Sequence, residues 1–305
     1  MPIQLPQLSR REFVKRALLA GAGMAMMPSA AHAGLFGKSR DKHTFVFFSD
    51  CHIAGDMATV SRTVNMASNL TAAVNELLAW PVKPAFVFVN GDLALKNGQA
   101  GDYSTFGNLI QPVRAVAPIY LSLGNHDDRE HFWSAFPHDA AAEKKDLSRQ
   151  AMVFTSDHVN WFQVDSLDAT DSTPGDFGTA QVEWLSRELD ARPDKPAIIV
   201  GHHNLADPNE PTGLKDSAAL EEIFAKHPQV KAYVYGHTHD WHVTQHPTGV
   251  HLINLPPTAY VFKDGRPSGW VRCTLAKDGA EFELRSLDRS HPEHGQIKKL
   301  QWRTT

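Results

Sequence analysis

Five short stretches of the chain carry residue types that bind metals and move protons, and each stands directly behind an apolar run. Asp50-Cys51-His52 follows FVFFS (45–49), and Gly91-Asp92 follows FVFVN (86–90). Gly124-Asn125-His126-Asp127 ends the run that begins at Ile119. Gly201-His202-His203 follows AIIV, and Gly236-His237-Thr238-His239 follows AYVY. Taken singly, a Gly-Asp pair is a turn, and a histidine after a strand is a surface residue. Together, five strand ends each offer a carboxylate, imidazole or carboxamide, and four set it beside a glycine, where backbone can turn tightly. In layered α/β proteins ligands sit beyond the carboxyl ends of the strands, so five such ends can converge on one place. Imidazole with carboxylate suits Zn, Mn or Fe better than Ca or Mg. The i, i+2 spacing of Asp50/His52 and of His237/His239 puts both side chains on one side of an extended backbone. One strand end can then serve one metal or two neighbouring metals.

The elements that must position these residues are readable from periodicity. The runs at 45–49, 86–90, 119–124, 197–201 and 232–236 are apolar on both faces, as strands buried between layers are. Helical spacing appears at 59–80, through Val60, Val64, Ala67, Leu70, Val74 and Leu77, with Pro81 as a stop. It recurs in AQVEWLSRELDAR and in SAALEEIFAKH. Alternation of strand and helix predicts an α/β layered domain. Runs near 151–155, 159–166, 250–255, 269–275 and 281–286 have fewer helices between them and read as antiparallel hairpins. The expectation is a mixed-sheet sandwich with helices outside, over residues 43–288, followed by a poorly ordered polar tail at 289–305.

The ordered set D-x-H, G-D, G-N-H-D, G-H-H, G-H-x-H over residues 50–239 resembles the calcineurin-like metallophosphoesterase superfamily. That resemblance implies a four-layered sandwich of two mixed β-sheets flanked by α-helices. It also implies two divalent or trivalent metal ions, Mn, Fe or Zn. Carried over by motif, Asp50, His52 and His239 hold one ion, Asn125, His202 and His237 hold the other, and Asp92 bridges them. A hydroxide shared by the ions attacks phosphorus. Asn125 helps to hold the phosphoryl oxygens, and His126, not a ligand, protonates or stabilises the leaving oxygen. His203 and His242 match no ligand position and are expected behind the ligands or along the cleft. Purple acid phosphatases are similar but place tyrosine three residues after the bridging aspartate. Leu95 stands there in this chain, so no tyrosinate ligand is implied. GNHDDREHF, and AQVEWLSREL followed by KPAIIVGHH, resemble class III cyclic nucleotide phosphodiesterases and bacterial glycerophosphodiesterases. The loop HHNLADPNEP departs from their proline-bearing pattern and is expected to border the substrate. Arg129 is either a phosphate contact or a solvated surface arginine. The implied function is hydrolysis of small phosphodiesters, with phosphomonoester hydrolysis at the same site as the alternative. A non-catalytic metal-binding scaffold is a third reading, but it predicts substituted ligand positions, and none is seen.

Composition sets further bounds. Residues 1–33 carry Arg10, Arg11, Lys15 and Arg16, then small and apolar residues from Ala17 to Met27, then Ala31-His32-Ala33. This is the layout of an export signal, and SRREFVK resembles the twin-arginine motif. The apolar run is too short and too rich in Gly and Ala to be a stable membrane anchor. The resemblance implies a bacterial protein exported in folded form by the twin-arginine machinery, periplasmic or secreted, beginning at Gly34 after cleavage. Removing the net +3 of that segment from the formal −4 of the chain leaves −7. Such a body has no general attraction for duplex nucleic acid or anionic membranes. The two cysteines, Cys51 and Cys273, read as small apolar residues rather than as a disulfide.

Overall fold

The computed structural model describes residues 40–139, 148–206 and 212–304. Residues 1–33, where the sequence leads one to expect an export signal, lie outside the described residues. The first sheet contains β1 (Arg40–Ser49), β4 (Lys83–Asn90), β5 (Ile119–Ser122), β12 (Gly269–Ala276), β13 (Gly279–Ser286) and β14 (Ile297–Gln301). Its strand order is β14-β13-β12-β1-β4-β5. The second contains β6 (Met152–Thr155), β7 (Asn160–Gln163), β8 (Ala197–Val200), β9 (Val230–Tyr235), β10 (His242–Gln245) and β11 (His251–Asn254), in the order β10-β11-β9-β8-β7-β6. Both are mixed. β1, β4 and β5 run parallel, as do β7, β8, β9 and β11, while the outer strands pair antiparallel.

Why the central strands are apolar on both faces follows from the layers. Successive side chains of a strand point to opposite faces. Phe45 and Phe47 of β1 enter a core shared with Trp161, Val200 and Val234 of the second sheet. Val46 and Phe48 enter a separate core on the outer side of the first sheet. There they meet Leu70, Val74 and Leu77 of α1 (Met66–Ala79) and Tyr103, Phe106 and Ile110 of α2 (Ala100–Arg114). A third core sits between Phe162, Ile199 and Tyr233 of the second sheet and two further helices, α4 (Thr179–Asp190) and α5 (Ser217–Lys226). The result is the four-layered sandwich expected from the sequence. Each buried Phe contributes about 1.5–3 kcal/mol by transfer, so the inter-sheet aromatic group is a large part of what holds the layers together. Cys51 and Cys273 are buried and free, in different cores.

Two expectations need correction, and two helices were not foreseen. The helix read over 59–80 begins only at Met66. Before it stands a hairpin, β2 (Val60–Ser61) with β3 (Val64–Asn65). Val60 and Val64 mimic helical spacing, but Thr59, Val60, Thr63 and Val64 are β-branched and suit extended backbone. Asn65 then caps α1, its side chain accepting from Ser68 N at 2.7 Å. Residues 289–304 form no loose tail. β14 pairs with β13, Leu300 and Trp302 are buried between the sheets, and Arg303 donates to four backbone carbonyls. An edge strand needs apolar residues on one face only, so Lys298, Lys299 and Gln301 make it read as polar. Finally, α2 and a short helix α3 (Arg129–Ala135) were unforeseen. Gly101, Gly107 and Pro112 dilute the helical signal of α2, whose form is imposed by burial of Tyr103, Phe106 and Ile110.

Candidate metal centre

The five chemical segments do meet beyond the strand ends, but not in extended backbone. Asp50, His52, Asp92, His237 and His239 all have positive φ, between 47° and 67°. This corrects the expectation that Asp50/His52 and His237/His239 share a side of a strand. Left-handed backbone costs a non-glycine residue about 1–3 kcal/mol, and such strain collects at functional sites. Here it is held by a backbone ladder: Asp50 N donates to Gly91 O at 3.2 Å and His52 N to Asp92 O at 2.9 Å. His237 N donates to the Asp50 carboxylate at 3.1 Å. The glycines leave room as well as turning the chain. A Cβ at Gly124 would collide with Asp92 Oδ1 and His202 Nε2. Gly124→Ala is therefore expected to lower metal affinity roughly 10–100-fold, the usual cost of disturbing groups that orient ligands. Metal content after dialysis checks it, with thermal unfolding as the control for the fold.

Two groups of ligand atoms result. Asp50, His52, Asp92 and His239 form one, Asp92, His202 and His237 the other, each with its atoms within 4.8 Å of one another. Asp92 belongs to both: its Oδ2 is 3.3 Å from His202 Nε2 and 3.5 Å from His52 Nε2. Backbone carbonyls fix the tautomers, since a carbonyl can only accept. His52 Nδ1 donates to Leu95 O at 3.0 Å, His239 Nδ1 to Tyr260 O at 2.5 Å, and His202 Nδ1 to Asn90 O at 3.0 Å. His237 does the reverse, donating from Nε2 to Thr212 O at 3.1 Å. Each ring thus turns its second nitrogen inward, the arrangement that metal-bound histidines share. His52 Nε2 and His239 Nε2 face each other at 2.9 Å. Two lone pairs so close repel unless a cation lies beside them. Asn125 Oδ1, His202 Nε2 and His237 Nδ1 are buried without a hydrogen-bond partner. These residues fit a pair of metal ions, and the site is a dinuclear metal centre.

The electrostatics agree. Burial pushes the Asp50 carboxyl up to about 7. Asp127, buried beside the Asp92 charge, is pushed up to about 6. Burial holds His52 down at about 4 and His237 at about 3. Burial would also lower His202, but the carboxylates of Asp92 and Asp50 raise it, to about 9. A pocket that buries carboxylates together demands positive charge. Without a metal one imidazole takes it up, while two divalent ions satisfy all of them.

The remaining expected residues are placed as follows. Asn125 and His126 line the same cleft, of about 450 Å³, as Asp92, His237 and His239. His126 N donates to Asp92 Oδ1 at 2.8 Å, and its ring lies in neither ligand group. His203 is buried behind the ligands, with Nδ1 2.7 Å from Ser166 Oγ and its ring 4.5 Å from that of His237. His242 begins β10 and pairs with Tyr235 OH at 3.3 Å, away from the ligand groups. Arg129 is neither a phosphate contact nor a solvated arginine. It grips buried Asp165 in a bidentate pair at 2.8 and 3.0 Å. Leu95 gives its carbonyl to His52 and packs its side chain against the outer core. The HHNLADPNEP loop lies partly outside the described residues.

Some contributors went unrecognised. Asp127 accepts from Gly124 N, Leu93 N, Ala94 N and Tyr103 OH, tying the Asp92 loop to the Asn125 loop. Its place in G-N-H-D was the available signal. Asn90 donates to Gly201 O at 2.9 Å, joining the two sheets under the site. Asp171 Oδ1 stands 3.4 Å from His126 Nδ1 and comes from a polar loop with no pattern of its own.

Comparison with known proteins gives a consistent set. The family model for calcineurin-like phosphoesterases matches residues 43–241. A probable cyclic nucleotide phosphodiesterase of Ruthia magnifica is 27% identical over 241 residues, covering 78% of this chain and 95% of that protein. The 3′,5′-cyclic adenosine monophosphate phosphodiesterase CpdA of Pseudomonas aeruginosa is 26% identical over 226 residues, covering 72% and 78%. Among solved structures, a dimetal phosphatase from Danio rerio superposes with a TM-score of 0.66 at 15% identity, covering 85% of this chain and 99% of that one. At that identity the likeness is one of fold.

Proposed function

This chain belongs to the calcineurin-like phosphoesterase family, and from that premise we propose that it hydrolyses small phosphodiesters. The observation that carries the reading is Asp92, one carboxylate common to two ligand groups at the floor of a cleft that also holds Asn125 and His126. Asp50, His52, Asp92 and His239 are the ligands of one ion. Asp92, His202, His237 and Asn125, through its unpartnered Oδ1, are those of the other. When bound, such a pair would supply Lewis acidity toward a phosphoryl oxygen and lower the pKa of bound water toward neutrality. Mn, Fe and Zn all suit the donor set.

The chain's own groups do the rest. The Asn125 carboxamide offers its NH₂ to a phosphoryl oxygen. His126 donates Nδ1–H to Lys96 O at 2.7 Å, which leaves Nε2 as the atom that hands a proton to the departing oxygen. Asp171 stands where it supports the positive charge on that ring before transfer. Diesters are favoured over monoesters because the curated relatives quoted above are described as cyclic nucleotide phosphodiesterases. Turnover of bis(p-nitrophenyl) phosphate against p-nitrophenyl phosphate by the metal-loaded protein tests this. Faster monoester turnover contradicts it.

The arginine pair at Arg10 and Arg11 supports export of the folded, metal-loaded chain to the periplasm. No helix among the described residues is long and apolar enough to cross a membrane. Replacing both arginines by lysine keeps the charge and is expected to stop export. Fractionation checks it, and normal periplasmic accumulation of the variant contradicts the twin-arginine route.

A further inference from the structure

We propose that Phe262 and Arg62 form a stacking subsite at the mouth of the cleft, and that it selects phosphate esters carrying a nucleobase over aliphatic ones. The proposal rests on the phosphoesterase reading above and names the substrate class.

The position of Phe262 is the first ground. Its ring stacks on His239 with centroids 4.0 Å apart and planes 15° apart, so it stands one ring away from the metal ligands. It also lines the cleft, and half of it, 50%, is exposed. The other large exposed apolar residues among those described, Met57, Val60, Val82 and Ile297, do not line that cleft.

Arg62 is the second ground. Its guanidinium carbon lies 4.9 Å over the Phe262 ring and 5.7 Å over the Tyr260 ring. It is delivered by the β2–β3 hairpin, whose two turn residues, Arg62 and Thr63, both have positive φ, 48° and 67°. A two-residue turn of this kind favours Asn-Gly, and a β-branched residue there is an outlier. The hairpin does not repay that strain in core packing, since its ladder is two residues long and Val60 is 59% exposed. What the strained turn does achieve is to hold a cation over an aromatic face beside the metal ligands.

The chemistry of the rim then indicates its ligand. Arg62 is exposed and can lift, so a base can slide onto Phe262 with the guanidinium stacked over it. Lys263, also on the cleft wall, adds a second cation that can attract an anionic ester. A phenyl ring under a guanidinium recognises a flat π-system and offers little to a glycerol group. The volume of about 450 Å³ falls within the range that takes a ligand of nucleotide size.

The test is calorimetric binding of adenosine 5′-monophosphate and glycerol 3-phosphate to the metal-loaded protein. The two share the phosphate monoester, which one carries on a base-bearing ribose and the other on a short aliphatic alcohol. The wild type is expected to bind the adenosine ester roughly tenfold tighter, as stacking on an aromatic allows. Arg62→Ala and Phe262→Leu are each expected to bring that ratio near one, and Arg62→Lys to restore only part of it. Arg62 touches no candidate ligand, so its variant is the decisive one. A wild-type ratio near one, or a ratio that survives Arg62→Ala, overturns the subsite. Failure of the phosphoesterase reading shows separately, as absence of ester hydrolysis by the wild type, and leaves the binding ratio to decide the subsite on its own.

Discussion

Asp92→Ala is expected to abolish phosphoester hydrolysis and to release metal. Asp92 is the one side chain common to both ligand groups, with Oδ2 within 3.3–3.5 Å of imidazoles from each. Two divalent ions a few ångström apart repel, and removing the shared carboxylate takes away the protein anion between them. Losing an outer partner of a ligand costs about 10–100-fold in metal affinity, so loss of a shared ligand should cost more. Asp92→Asn keeps the shape and can still accept from His126 N. It separates the charge from the packing and should also fail to hold two ions. Metal counting on both purified variants, beside thermal unfolding, checks this. Two ions per chain with normal turnover in either variant contradicts the bridging role.

His126→Ala should act differently, on the chemistry and not on the metals. The ring borders the cleft, lies outside both ligand groups, and has Nδ1 committed to Lys96 O. An alkyl alcohol leaves poorly and needs a proton, whereas a nitrophenolate leaves without one. The variant should therefore slow hydrolysis of nucleoside or alkyl diesters by roughly 10²–10⁴ more than that of nitrophenyl diesters. Its metal content should stay at the wild-type level. Equal slowing of both substrate kinds would leave His126 as a positioning group, and loss of metal would make it a ligand.

How much of this was legible in the sequence depends on where each feature is determined. The central strands were readable because each feeds two cores, so neither face can be polar. β14 was not, because one buried face leaves Leu300 and Trp302 diluted by lysines and glutamine. The hairpin before α1 was misread because Val60 and Val64 fall by chance on the helical stripe. The segments that converge were readable because glycine and a coordinating residue recur behind successive strands. Their backbone conformation was not. The left-handed φ values at Asp50, His52, Asp92, His237 and His239 are imposed by hydrogen bonds between loops far apart in sequence. For the same reason Asp171 and Phe262 carried no distinct sequence signal, and Arg129 looked available until Asp165 was brought beside it.

The most direct test of the account is a metal titration of the stripped protein. The chain is freed of metal with a chelator and Mn is added back in known equivalents, while hydrolysis of bis(p-nitrophenyl) phosphate is followed. Two ligand groups sharing Asp92 predict no activity without metal and a rise that levels off at two equivalents per chain. Full activity in the stripped protein, or a plateau at one equivalent, would contradict the dinuclear phosphoesterase.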